Sequence, residues 1–195
     1  MPRYFLTIAV LIFVLLTGFL LGYFLCLDNW ENRKNVLPGK YRDWFITREK
    51  YLDVNNDSQE ERLVAITDRF WGTAGTAKVL ILQGKRFIEV PAGHGASIIW
   101  WQTGDFNKNG KMELAVQYDS YGSGDLLNWY LCEWDGSNFQ IILEGVREAS
   151  QLDIRDIDGD GIAEIKHMFS TPPGEPEGLE IFEWDNQDQK YLISR

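Results

Sequence analysis

Oxygen-bearing side chains recur in this 195-residue chain at every second position of three short loops: Asp53, Asn55 and Asp57, then Asp105, Asn107 and Asn109, then Asp156, Asp158 and Asp160. A glutamate follows each triplet, at Glu61, Glu113 and Glu164. Hard oxygens at the first, third, fifth and ninth places of a tight loop can converge on one point. Calcium takes six to eight such ligands at about 2.3–2.6 Å in a tolerant geometry. Glycine in the sixth place, Gly110 and Gly161, permits the sharp turn. The twelve residues are therefore read as Ca2+ ligands, and Ca2+ as the cofactor. The first loop departs from the pattern. Ser58 replaces the glycine, and Glu60-Glu61-Arg62 suggests a one-residue insertion, with Glu61 or Glu60 closing the site. Counting carboxylates predicts the third loop to bind most tightly and the second least. The competing reading is a set of metal-free turns, since Asp and Asn bond their own backbone. Catalysis would need an open coordination position beside a nucleophile or base, and the sequence offers neither.

The elements that must position these loops repeat with them. Asp53, Asp105 and Asp156 are 52 and 51 residues apart, a period that marks one supersecondary unit reused. A short strand precedes each loop (Trp44–Thr47, Ile98–Trp101, Leu152–Ile154) and another follows it. Next come a Gly- or Pro-rich loop and a hairpin that turns at Gly84, Gly136 and Asn186. Four β-branched and aromatic runs per unit, parted by turn formers, predict an all-β fold of three four-stranded antiparallel units. Their expected bounds are 44–92, 98–145 and 150–195, after an anchor at 1–30 and a linker at 31–43. The twelfth loop position holds Val64, Val116 and His167 rather than a bidentate glutamate, so an EF-hand is excluded.

The signature D-x-[DN]-x-[DN]-G-x-x-[DE] leading into a strand, clean at Asp105–Glu113 and Asp156–Glu164, resembles the FG-GAP/VCBS repeat family. That family includes the calcium loops of integrin-type β-propellers, and the likeness covers residues 44–195. It implies blade-like units and a role in adhesion or protein–protein interaction. The Phe-Gly-Gly-Ala-Pro phrase that names the family is absent, with only Tyr121-Gly-Ser-Gly distantly similar. Closed propellers usually have at least four blades, so ring closure is not implied. Dimerisation, an open array or a three-unit sandwich would each manage the exposed edges.

Residues 4–27 carry no charge, and as a helix would span about 36 Å, enough for a bilayer core of about 30 Å. The stretch is longer than the apolar region of a signal peptide and lacks its small-x-small cleavage site. Leu25 before Cys26 also departs from a lipoprotein signal. An uncleaved single-pass anchor is expected. Arg33, Lys34, Lys40 and Arg42 outnumber Arg3, which would place the C-terminal side in the cytoplasm. Long domains cross regardless of charge, and weak calcium sites suit the outside of cells, so an extracytoplasmic domain is expected.

A net charge of −10 argues against nucleic acid as a partner. Cys26 and Cys132 give no internal disulfide. Zinc, P-loop, dinucleotide and nucleophile-elbow patterns are missing, and His94 and His167 read as loop and packing residues. Glu175 and Glu177 form a Pro-rich acidic cluster that reads as a solvated loop. Trp129, Trp134 and Trp184 are expected to pack between units. Trp71 and Tyr121 in the Gly-rich loops could meet a protein or a sugar ring. The expectation is a non-enzymatic interaction module, able to self-associate. The alternatives are a carbohydrate-binding or envelope accessory protein and, behind it, an enzyme.

Overall fold

The β-branched and aromatic runs form strands, and the Gly, Asn and Asp clusters between them form turns. The structure, a computed structural model, describes residues 17–18, 37–55, 57–68, 75–84, 86–91, 95, 97–119, 126–148, 150–171 and 174–194. The chain divides into two compact units, 1–43 and 44–195. In the first, Gly39–Tyr41 makes one 3-10 turn. The apolar stretch 4–27 lies outside the described residues except for Thr17 and Gly18, as do Trp71, His94 and Tyr121. Among the described residues no helix is long and apolar enough to cross a membrane.

The second unit is all-β. Its strands are β1 (Phe45–Leu52), β2 (Glu61–Thr67), β3 (Ala77–Gln83), β4 (Arg86–Glu89), β5 (Ser97–Gly104) and β6 (Glu113–Asp119). They continue with β7 (Leu126–Trp134), β8 (Phe139–Glu148), β9 (Gln151–Arg155), β10 (Glu164–Phe169), β11 (Gly178–Asp185) and β12 (Lys190–Ile193). They form three four-stranded antiparallel meanders, β1–β4, β5–β8 and β9–β12. The first strand of each is longer than its apolar run. Arg48, Glu49 and Lys50 continue β1 along an exposed edge, where charge discourages edge-to-edge pairing. The repetition reaches the irregularities: the ladder slips at Thr47 between Ile46 and Arg48, and at Ile99 between Ile98 and Trp100.

Alternation along β6 and β7 gives the middle sheet two apolar faces. Leu114, Val116, Tyr118, Cys132 and Trp134 pack with Leu63, Ala65, Val79 and Ile81 of the first sheet. Ala115, Trp129 and Leu131 turn the other way and pack with Leu152, Ile154, Ile165 and Phe182 of the third. Trp134 and Trp129 lie in the two seams, as expected, whereas Trp184 is partly buried and meets Tyr191 of its own sheet. Each fully buried Val, Leu or Ile contributes on the order of 1.5–3 kcal/mol, so these two seams are the main cohesive force. The third sheet's outward face has no such cover. Ile157 is 48% exposed where Val54 is 1% and Phe106 7%, and Leu179 and Leu192 of the same sheet are exposed too.

The seam between the second and third sheets holds a charged chain. Arg147 pairs with Glu180 at 3.0 Å, and Glu180 bonds Nδ1 of His167, also at 3.0 Å. The ring of His167 is 1% exposed and lies edge-on to Trp129, with Phe169 on its other flank. Neither its Nε2 nor Trp129 Nε1 has a hydrogen-bond partner among the described residues. Burial lowers the His167 pKa, Arg147 lowers it further, and the bond to Glu180 only partly offsets them. Burial would raise Glu180, but His167 and Arg147 outweigh it and hold that carboxyl below its ordinary value.

Two outcomes follow from this packing. Gly145 pairs with Trp129 across the ladder, and a Cβ there would meet the indole at 2.5–2.7 Å. Gly145→Ala should therefore cost about 1–3 kcal/mol in chemical denaturation, through overpacking. The unfolded chain binds the His167 proton more readily than the folded one, so the stabilisation is complete above pH about 6.5 and declines as pH falls below it. Thermal melts of wild type and His167→Gln from pH 8 to 5 should diverge below that point, with the wild type falling faster.

Candidate metal centre

Each loop is wired by the same four oxygen-bearing positions. The ninth residue opens the following strand and turns back to accept the N–H of the second. Glu61 bonds Val54 at 2.9 Å, Glu113 bonds Phe106 at 2.5 Å and Glu164 bonds Ile157 at 2.6 Å. The third side chain accepts the N–H of the fifth: Asn55 from Asp57, Asn107 from Asn109, Asp158 from Asp160. The fifth accepts that of the seventh: Asp57 from Gln59, Asn109 from Lys111, Asp160 from Ile162. The first aspartate takes the sixth N–H in loops one and two, from Ser58 and Gly110. In loop three Asp156 takes the fourth instead, from Gly159.

This wiring corrects the reading of the first loop. Glu61, Glu113 and Glu164 each begin a strand and make the same bond, so no residue is inserted. Glu61 is 7% exposed and is the closing carboxylate, whereas Glu60 is exposed. Sequence preferred Glu61 with Glu60 as the alternative, and burial and the Val54 bond separate the two. Ser58 adopts φ 67°, close to the 83° and 88° of Gly110 and Gly161. The serine holds the glycine's left-handed conformation at a cost of roughly 1–2 kcal/mol.

Loop three gathers its acids most closely. Asp156, Asp158 and Glu164 each offer a carboxylate oxygen, and these lie within 4.8 Å of one another. Asp160 is not in that group. Glu164 is nearly buried while Asp156 and Asp158 face solvent. The loop also touches its neighbour: the N–H of Ala163 donates to the Phe106 carbonyl at 2.7 Å, and Lys108 lies over Gly161.

Loop two has a member that the sequence reading missed. Glu133 on β7 is the register partner of Glu113. It accepts from Nδ2 of Asn107 at 3.4 Å, Nδ2 of Asn109 at 2.5 Å and Nζ of Lys111 at 2.5 Å. Lys111 is held charged by that bond. Burial would raise Glu133, but these three donors outweigh it and lower its pKa. Glu113 is 0% exposed, and its Oε1 has no hydrogen-bond partner among the described residues. Burial first, then the nearby Asp105 and Glu133, push its pKa up to about 8 against the opposing backbone N–H groups of Phe106 and Asn107. The sequence count of two carboxylates at this loop becomes three. The only hint was the E-W-D string at 133–135, repeated at 183–185, which says nothing of strand register.

Other candidates fall away from the loops. Glu175 and Glu177 are exposed, and their loop is tied by Thr171 Oγ1 to the Glu175 and Pro176 carbonyls. Cys132 is buried and free, with burial pushing its thiol up to about 12. No protein-family model matches this chain, and no curated protein matches it.

The position-nine bond can be tested without metal. In chelator, Glu61→Ala should cost about 1–3 kcal/mol by orphaning the buried Val54 N–H, and Glu60→Ala should stay within about 0.5 kcal/mol. Equal effects in urea denaturation would return the closing role to either residue.

Proposed function

We propose that this chain is a calcium-binding β-repeat protein acting as a non-enzymatic interaction or adhesion module. In this reading its sheets are propeller-blade-like units and residues 4–27 anchor it in a membrane, with the sheets on the outer side. The observation that carries the proposal is the convergence of Asp156, Asp158 and Glu164 in the third loop. The donor set fits the ion, because every loop offers only hard oxygens from Asp, Asn and Glu. The buried Glu113 Oε1 lacks a partner, a costly state that a cation drawing the carboxyl into its ionised form would relieve.

Asp156, Asp158, Asp160 and Glu164 would hold the tightest ion, with Asp53, Asn55, Asp57 and Glu61 in the first loop and Asp105, Asn107, Asn109 and Glu113 in the second. Bound calcium would neutralise their mutual repulsion and clip the entry to each second strand. The likeness of the loop signature to the FG-GAP/VCBS repeats supports the interaction role, and the acidic charge supports the absence of nucleic acid among the partners. Association with a second copy would cover exposed apolar residues such as Ile157, Leu179 and Leu192.

The test is calorimetric titration of the full chain with calcium, with melting measured in calcium and in chelator. Saturable heat and a higher melting temperature in calcium are expected, since a ligand of the native state stabilises by RT ln(1 + [L]/Kd). Asp156→Asn with Asp158→Asn should remove the tightest site. No heat and identical melting curves would sink the reading.

A further inference from the structure

Resting on the calcium reading, we propose that Glu133 is the positioning residue of a second cation site, aiming the amide oxygens of Asn107 and Asn109 at one calcium-type ion shared with Asp105 and Glu113. An asparagine side chain can face a ligand with oxygen or with nitrogen, and only the oxygen can bind a cation. Glu133 decides between them. Its carboxylate accepts from both Nδ2 groups, while each Oδ1 accepts a loop N–H: Asn109 N–H at 3.0 Å for Asn107, and Lys111 N–H at 2.9 Å for Asn109. Turning either amide over would set oxygen against carboxylate and N–H against NH2. Each Oδ1 keeps a second lone pair for a metal.

A separate observation points to a ligand here. Glu113 is fully buried, its Oε2 is fixed by the Phe106 N–H, and its Oε1 is unpartnered. Glu113 also sits directly across the ladder from Glu133, where like charges are destabilising unless something intervenes. Lys111 bonds Glu133 directly and reaches Glu113 only through space. A divalent cation would answer Glu113. The choice of Asn rather than Asp at 107 and 109 then has a cause, since carboxylates there would repel Glu133. In loop one Gln83 donates to Glu61 Oε1 at 3.5 Å, and the Asn55 amide is turned instead by Asp57 and Glu61 of its own loop.

The experiment uses the full chain carrying Asp156→Asn and Asp158→Asn, which silences loop three, and reads calcium affinity by calorimetry and terbium luminescence excited through tryptophan. Glu133→Ala should weaken binding by about tenfold or more, as loss of a residue that orients ligands does. Glu133→Gln, which keeps an acceptor oxygen and the fold, should fall between. Asn107→Asp with Asn109→Asp should restore affinity in the Glu133→Ala protein, because a carboxylate has no wrong face. The same pair should gain less where Glu133 remains. Glu133→Ala and Glu133→Gln proteins that bind as tightly as the parent would overturn the proposal, as would equal gains from the aspartates in both backgrounds. A loop-three-silenced chain with no calcium binding would overturn it too, leaving the wider calcium reading intact if the unaltered chain binds. No binding by the unaltered chain would remove both.

Discussion

Every unit of this protein depends on one bond: a glutamate at the head of the second strand accepting the amide hydrogen of the residue after the loop's first aspartate. The bond spans the loop at its base and fixes where the second strand begins. It also takes a carboxylate out of water, since Glu61, Glu113 and Glu164 are all buried. Taking a charge out of water is expensive unless its lone pairs are satisfied. One backbone donor satisfies one oxygen. The other oxygen takes side-chain amides in Glu61, from Asn55 and Gln83, and has no donor among the described residues in Glu113.

The seams between sheets set how far each loop is enclosed. Val54 is buried in the seam between the first and second sheets and Phe106 in that between the second and third, whereas Ile157 is open. The second closing glutamate is completely enclosed, whereas the third loop leaves Asp156 and Asp158 in solvent. Burial and carboxylate number therefore pull in different directions. Loop three has the closest acids. Loop two has the more desolvated oxygen and a neighbouring strand that supplies Glu133. Loops two and three also share a backbone bond, so ordering one constrains the other.

Much of the candidate site was legible because its logic is local. Positions one, three and five of a tight turn face inward whatever surrounds them, and the Asx bonds seen in all three loops follow from side chains reaching two residues along the chain. The hairpins were equally legible, since Gly84 and Gly136 take the positive φ that their turns need. Glu133 was not legible. It lies 28 residues beyond Asp105, and only the register of β6 against β7 brings it to Asn107 and Asn109. Glu61 was preferred from sequence, but its bond to Val54 depends on which neighbour turns inward.

Sequence alone determined the strand and turn pattern, the three-fold repetition and the oxygen-rich spacing, because each is governed by contacts within a few residues. Tertiary structure decided which sheet faces which, which glutamate is desolvated and which distant side chain reaches the second loop. Those outcomes rest on strand register and on alternation between two faces. A shift of one residue reverses every side chain in a strand, and only the packed neighbours determine which way it falls.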